Sequence, residues 1–343
     1  MHERDLAPLV CPETRQPLRL DAAERAAGGE IVRGRLIGGA RPYPIESGIP
    51  SFVSAAKAQD QTVRSFAQKW AKHGYYLRQT GRFYRQWYLD RYGFGDGGAL
   101  GELLARCRLV LDAGTGTGRD AQLFAELSRA QVVAVDTAWD ALTAARADVP
   151  SERVLFVHAD IDALPFADEL FDFVSCDQVI HHLPDPRASF ERLARKLKPG
   201  GQICCYVYRK KSAIREHVDD YVRERLSALD IDEALKICEG FTLLGRAFAR
   251  LGATVEIEED IPVLGIRRGR YDVQRFLHYN VLKCFWNDEL DFFTNNIVNF
   301  DWYHPRHCFR FEPAEYRAWF ERGWTIEHWD EQEAGLSCRA RKV

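Results

Sequence analysis

Methionine appears once in this chain, no apolar run is long enough to cross a bilayer, and neither sign of charge dominates, with 47 Lys and Arg against 50 Asp and Glu. Each shortage excludes something. The charged opening Met1-His2-Glu3-Arg4-Asp5 has no apolar segment behind it of the kind a secretory signal needs, and nothing later reads as a membrane-spanning helix. We therefore expect a cytoplasmic protein with no membrane partner. A formal net charge of -3 gives no global pull toward nucleic acid, which disfavours such a partner and leaves only a local basic patch open. The nine cysteines are an odd number without a framework of spacings, so reduced thiols are expected rather than disulfides. Internal repeats and low-complexity stretches are absent as well.

What is present is a chain of 343 residues, 46% hydrophobic, long enough for one large domain with additions or for two domains. Its organising stretch is the apolar run from Leu109 to Leu111, followed by Asp112-Ala113-Gly114-Thr115-Gly116-Thr117-Gly118 and a helical pattern over 119–129. This reads as strand, tight turn and helix. Glycines let the backbone take positive φ and approach a ligand closely, and the helix start offers unpaired N–H groups. The dinucleotide fingerprint Gly-x-Gly-x-x-Gly fails, because its third glycine falls on Arg119 and it rarely carries an acid such as Asp112 before the first.

Beyond the turn, strand and helix alternate as in a parallel sheet. Strands are expected at 131–135, 154–157, 171–175 and 202–207, and helices at 138–147 and 187–197, with Asp185 capping the latter. A helix at 313–322 precedes two closely joined strands, 324–329 and 336–341, which read as antiparallel. Acids or amides stand just beyond several strand ends: Asp136 and Thr137, Asp160 and Ile161, Asp177 and Gln178. Ligands bind at such ends where the winding of the sheet reverses. Residues 209–312 are too many for a connection and read as an inserted helical cap, with helices at 215–229, 232–238, 241–251 and 271–282.

The ordered set of Asp-x-Gly-x-Gly-x-Gly, Asp136, Asp160-Ile161 and Leu197-Lys198-Pro199-Gly200-Gly201 resembles class I S-adenosylmethionine-dependent methyltransferases over residues 66–343. The resemblance implies an α/β fold, a Rossmann-like, mostly parallel seven-stranded sheet with helices on both faces. It also implies S-adenosyl-L-methionine as cofactor, held by Asp112, Gly114, Thr115, Gly116, Gly118, Asp136, Thr137, Asp160, Ile161, Asp177 and Gln178. Asp112 would face the cationic amino acid end, Asp136 the ribose hydroxyls, and Asp160 with the Ile161 N–H the adenine. The first residues, Cys11-Pro12-Glu13-Thr14 and Tyr43-Pro44-Ile45 through Gly48-Ile49-Pro50, resemble the small zinc-ribbon module that activates some methyltransferases or is fused to them. Thr14 stands where its second Cys would be, and Gly38 and Gly39 where the other pair would be, so a small β module without metal is expected. The resulting division is 1–57 ribbon-like module, 58–100 helical aromatic segment, 101–208 core, 209–312 cap and 313–343 closing helix and strand pair.

Methyl transfer is an in-line displacement governed by positioning, with a base needed chiefly for a poorly ionised hydroxyl. His182 and His181, in the Val-Ile-His-His-Leu-Pro-Asp run after the fourth strand, are candidates for that base, with packing as the alternative; His304, paired with His307, is a further candidate. The aromatic stretch 59–94 is either core or a lid whose Trp70, Tyr75 and Tyr76 touch ligand. In the cap, Trp302 and Tyr303 with His307 read as an acceptor pocket, as the cap's own core, or as a homodimer seam. A small biosynthetic intermediate methylated at oxygen or nitrogen is the favoured substrate. The rivals are an RNA methyltransferase using a basic face at Arg78, Arg82, Arg85 and Arg91, and a non-catalytic cofactor-binding protein.

Overall fold

In the computed structural model, residues 1–39, 41–73, 76–149 and 151–343 are described, without the side chains of 71–82 and 151. Four short strands, β1 (Arg19–Arg25), β2 (Ile31–Ile37), β3 (Tyr43–Glu46) and β4 (Ile49–Pro50), pair in sequence as an antiparallel meander. In β3, Tyr43 and Ile45 are buried while Pro44 and Glu46 are exposed, the alternation of a sheet with one wet face. Helices α1 (Ala55–Ala58), α2 (Gln61–His73), α3 (Tyr76–Arg91) and α4 (Gly98–Leu104) follow.

The apolar runs then become the strands of a second sheet. These are β5 (Leu109–Ala113), β6 (Gln131–Asp136), β7 (Val154–His158), β8 (Phe171–Cys176) and β9 (Leu197–Arg209), with α5 (Arg119–Leu127), α6 (Trp139–Asp148) and α7 (Pro186–Lys196) between them. The expected sheet is observed. β5 pairs parallel with β6 and β8, β6 with β7, and β8 with β9. The central strands are buried almost throughout, which is why they read as unbroken apolar runs. The chain winds outward from β5 to β7, then crosses to β8 and β9, so the winding reverses between β5 and β8. Asp185 caps α7 by accepting from the Ala188 N–H at 3.0 Å.

The chain divides into two compact units: Met1–Val207 with Pro313–Glu331 and Leu336–Val343, and Tyr208–Glu312 with Gln332–Gly335. In the second, α8 (Ala213–Leu226), α9 (Ile231–Leu251), the antiparallel pair β10 (Thr254–Ile257) and β11 (Gly269–Asp272), α10 (Val273–Asn280), α11 (Phe292–Tyr303) and β12 (Arg310–Phe311) follow one another. One expectation needs correction here. Gly240 does not split α9, because it faces open space and a lone helical glycine costs only about 1 kcal/mol. The aromatic run 292–303 is a helix, whose buried Asn295, Asn296 and Asn299 interrupt the apolar period. Asn299 accepts from the Phe285 N–H at 2.7 Å and Asn295 from the Asn287 N–H at 2.7 Å, so these side chains satisfy the irregular backbone of the preceding segment. The first unit then closes with α12 (Pro313–Arg317) and the antiparallel pair β13 (Trp324–Glu331) and β14 (Gly335–Lys342), which complete the strand order β13-β14-β9-β8-β5-β6-β7.

None of the nine cysteines is disulfide-bonded. Among the described residues no helix is long and apolar enough to cross a membrane.

Two glycines of α9 make opposite predictions. A Cβ on Gly245 would fall 2.4 Å from the Cys284 carbonyl oxygen, whereas one on Gly240 meets nothing within 4 Å. Gly245→Ala should destabilise by about 1–3 kcal/mol and Gly240→Ala should stabilise by about 0.5–1 kcal/mol, as read by chemical denaturation.

Candidate functional site at the carboxyl ends of the central strands

The glycine turn hangs from strand β6. The N–H groups of Gly114 and Thr115 both donate to the Val135 carbonyl, at 2.8 and 2.9 Å. Gly114 takes φ +86°, and a Cβ there would lie 2.4 Å from Val179, so only glycine fits. Asp112, at 2% exposure, accepts from the Thr115 hydroxyl at 2.6 Å. Asp136 accepts from the Gly116 N–H at 2.8 Å on one oxygen and from the Ala138 N–H at 2.8 Å on the other. Gly118, at φ +84°, forms the N-cap of α5. The acids that end β5 and β6 are thus both tied to one loop, at the point where the winding reverses.

Burial shifts these groups in ways that matter for ligand charge. The Asp112 carboxyl is pushed up to about 8, first by removal from water and then by the nearby Asp120. Asp136 is also raised by burial, opposed by the N–H groups of Ala138, Gly116 and Thr137. No lysine or arginine forms an ion pair with Asp112 among the described residues.

Asp177 follows β8 and is at the centre of a buried network. Its Oδ1 accepts from Arg91 Nη1 and from the Tyr92 hydroxyl, each at 2.9 Å. Its Oδ2 accepts from Arg119 Nη2 at 3.0 Å and from Gln178 Nε2 at 3.2 Å. Arg119 also binds Asp120 through two bonds of 2.7 Å. The Arg91 guanidinium lies 3.5 Å from the Trp87 ring centroid, and Tyr88 shares a hydrogen bond of 3.0 Å with Ser175. Helix α3 is therefore fastened to the strand ends by Tyr88, Arg91 and Tyr92. Gln178 has φ +60°, a conformation that non-glycine residues rarely hold.

Further along, Asp160 accepts from the Asp162 N–H at 3.1 Å and pairs with Lys57 Nζ at 3.1 Å, while Ile161 is buried. The Thr137 carbonyl accepts from His158 Nε2 at 3.1 Å, which leaves Nδ1 to accept from the Ser51 hydroxyl at 2.7 Å. Trp70 lies over the turn: a Cβ on Gly116 would sit 3.4 Å from its ring. Lys69 stacks on Trp70 at 3.8 Å, and Phe66 meets His182 edge-on at 4.9 Å. Tyr75 lies outside the described residues, as does the side chain of Tyr76.

Both histidines after β8 are buried. His181 is fully buried against His182 and Tyr206, and burial holds its imidazole well below the usual range. His182 is 7% exposed. His304 belongs to the second unit, stacked on Phe300 at 4.7 Å with Nε2 facing the Leu229 carbonyl at 3.3 Å. Trp302 and Tyr303 are likewise in that unit's core, and His307 stacks near Phe309 at 6.1 Å. Trp302 and Tyr303 are both buried, with Asp219 accepting from the Trp302 indole N–H and from the Tyr303 hydroxyl. Reasoning from sequence missed Arg91, Tyr92 and Arg119 as partners of Asp177; a buried acid's need for a cation was the available signal. The proposed basic face also changes, since Arg91 is inside and Arg85 pairs with Glu126 at 2.6 Å. The side chains of Arg78 and Arg82 lie outside the described residues.

The structure thus brings acids and a glycine turn together at the switch point of a doubly wound α/β sheet, where ligands of such sheets bind. Comparison with known proteins narrows the class: residues 111–205 match the family profile described as a methyltransferase domain. The chain is 40% identical over 95 residues to a demethylmenaquinone methyltransferase of Clavibacter sepedonicus, across 27% of this chain and 38% of that protein. It is 33% identical over 142 residues to methyltransferase GfsG of Streptomyces halstedii, across 40% of this chain and 45% of that protein. A solved S-adenosylmethionine-dependent methyltransferase from Mesorhizobium loti is 17% identical with a TM-score of 0.39, over 70% of this chain and 93% of that one. The alignments span less than half the length of these curated relatives.

Two variants test the site's construction. Asp177→Asn should destabilise the protein by roughly 3–5 kcal/mol, because it strands the buried Arg91, with unfolding by urea as the measurement. Asp112 binds its proton more tightly when folded than when unfolded, so its stabilising contribution is complete below about pH 4 and is lost as the pH climbs toward about 8. Asp112→Asn should therefore flatten the decline of stability over that window; parallel wild-type and variant profiles would show that the carboxyl is ionised throughout.

Proposed function

We propose that this chain is an S-adenosyl-L-methionine-dependent methyltransferase that acts on a small biosynthetic intermediate at oxygen or nitrogen. The observation that carries the reading is Asp112: a buried acid beneath a glycine turn, without an ion pair of its own among the described residues and with its carboxyl raised by burial against the pull of Arg119. A ligand bearing an ammonium and a sulfonium supplies the missing positive charge, whereas a phosphate would meet two acids, Asp112 and Asp136. The residue types present fit the cofactor on that ground. Asp112, with Gly114 and Gly116, would receive its amino acid end, Asp136 its ribose, and Asp160 with Ile161 its adenine. Bound, the cofactor supplies an electrophilic methyl group.

The chain's own part is positioning and exclusion of water. Asp177, locked by Arg91, Tyr92 and Arg119, fixes the loop that leads to Gln178 and the histidines. Trp70 and Phe66 cover the turn and His182 as a lid would. The buried histidines favour an acceptor that needs no strong base, such as an amine or an acidic hydroxyl. The withdrawal of Arg91 and Arg85 into ion pairs weighs against the RNA reading. The substrate names of the relatives, demethylmenaquinone among them, support a small acceptor.

The N-terminal module is read as a ribbon-like framework in which hydrogen bonds replace metal ligands. In support, Thr14 donates through its hydroxyl to the Gly38 carbonyl at 2.9 Å, and through its N–H to Cys11 Sγ at 3.4 Å, while Cys11 also meets the Tyr43 hydroxyl at 3.3 Å.

Calorimetry tests the cofactor assignment directly. S-adenosyl-L-methionine should bind the full chain, and Asp136→Ala should weaken binding at least tenfold. No binding, or binding indifferent to that substitution, would sink the reading; binding without transfer of labelled methyl to any small molecule, RNA or protein of the source cell would favour a non-catalytic role.

A further inference from the structure

Within the second unit, four cations gather around one ring, of which Arg223, 6.0 Å from the Trp302 centroid, is paired with Asp220 at 2.8 Å. The ammonium groups of Lys283 and Lys211 lie 4.6 and 5.9 Å from the Trp302 ring centroid, and the Arg215 guanidinium lies 5.1 Å from it. One buried carboxylate, Asp219, faces them. Its Oδ2 accepts from Arg215 Nε and from Trp302 Nε1, each at 2.6 Å, and its Oδ1 from the Tyr303 hydroxyl at 3.1 Å. Asp219 therefore pairs with Arg215, and neither Lys211 nor Lys283 forms an ion pair of its own among the described residues, although Glu216 acts on Lys211 and Asp301 on Lys283 from beyond ion-pair distance. The neighbouring Glu216 is turned to other partners, accepting from the Lys211 backbone N–H at 2.9 Å and from Arg310 Nε at 2.8 Å.

The unsatisfied groups point the same way. Arg215 is 1% exposed, yet its Nη1 meets no acceptor among the described residues, and the buried Nδ1 of His278 likewise meets none. Lys211 Nζ donates to the carbonyls of Arg209 and Ala334, at 2.7 and 3.0 Å, but neither it nor Lys283 pairs with a carboxylate among the described residues. Burial and then Arg215 press the Lys283 ammonium down to about 8, and the same pair of causes lowers His278. A folded chain rarely keeps like charges together in a low dielectric without a counter-charge. Cation–π contact with Trp302 offsets part of the repulsion and leaves the hydrogen-bond deficit untouched.

We propose that Lys211, Arg215 and Lys283 form a binding site for an oxyanion, a carboxylate or phosphate group carried on a small organic molecule. Arg215 Nη1 and the Lys283 ammonium supply the charged donors, and the rings of Trp302 and Tyr279 border the molecule's body. The site is built wholly from residues of the second unit and does not rest on the methyl-transfer reading.

The test uses the full chain, with inorganic phosphate and benzoate as probes at matched ionic strength, followed by calorimetry and thermal unfolding. At least one probe should bind and raise the melting temperature; phosphate alone assigns a phosphate group, benzoate alone a carboxylate, and both an oxyanion of either kind. Lys283→Met should weaken that binding at least tenfold. Without a probe it should melt no lower than the wild type, because a buried charge without an ion pair has been removed. The proposal is overturned if neither probe protects the wild type, if Lys283→Met binds equally well, or if the free variant melts lower, which would make Lys283 a structural cation. Arg215→Met is the poorer variant, since it abandons Asp219 in the interior.

Discussion

A carboxylate withdrawn from water holds the strand ends of the first unit's sheet together with the helices beside them. Asp177 stands beyond β8, Arg91 and Tyr92 come from the end of α3, and Arg119 opens α5, so one side chain joins three elements that are distant in sequence. Burying such a group is unfavourable unless every lone pair finds a donor, and here each oxygen finds two. The arrangement specifies geometry more than it adds stability. With α5 held by Arg119, the glycine turn before it has a fixed end; with α3 held, so do the aromatic residues that precede it.

The sheet was legible in the sequence because its physics is local. Strands such as β6 and β7 are buried on both faces and so consist of apolar residues without alternation, and each ends at an acid or a glycine turn. Gly114, Gly116 and Gly118 were readable for the same reason, since alternate glycines signal a backbone path rather than a packing surface. The network around Asp177 was not readable, because nothing in the spacing of Arg91, Arg119 and Asp177 announces that they meet. Tertiary partners of a buried charge depend on how the helices are laid on the sheet.

In the second unit the illegible part has a different cause. Helix α11 carries asparagines on its buried side, which a search for apolar periodicity reads as loop. Those amides bond the backbone of Phe285, Asn287 and Leu290, supplying partners that regular secondary structure would otherwise provide in residues 284–291. The rings of Trp302 and Tyr303 belong to the same economy of polar groups, both anchored on Asp219. Aromatic density alone therefore could not distinguish a ligand site from a core.

Strand β7 is the last in its sheet, and a free edge of that kind presents unpaired N–H and C=O groups to any other extended chain. Here the segment after β4 lies alongside it: Ser51 bridges to His158 in parallel fashion, and the Phe52 N–H donates to the His158 carbonyl at 2.7 Å. The chain leaving the small N-terminal sheet thereby covers the carboxyl end of an edge whose Val-Leu-Phe-Val run is apolar and fully buried, so the contact occupies hydrogen-bonding groups that an added strand would otherwise need.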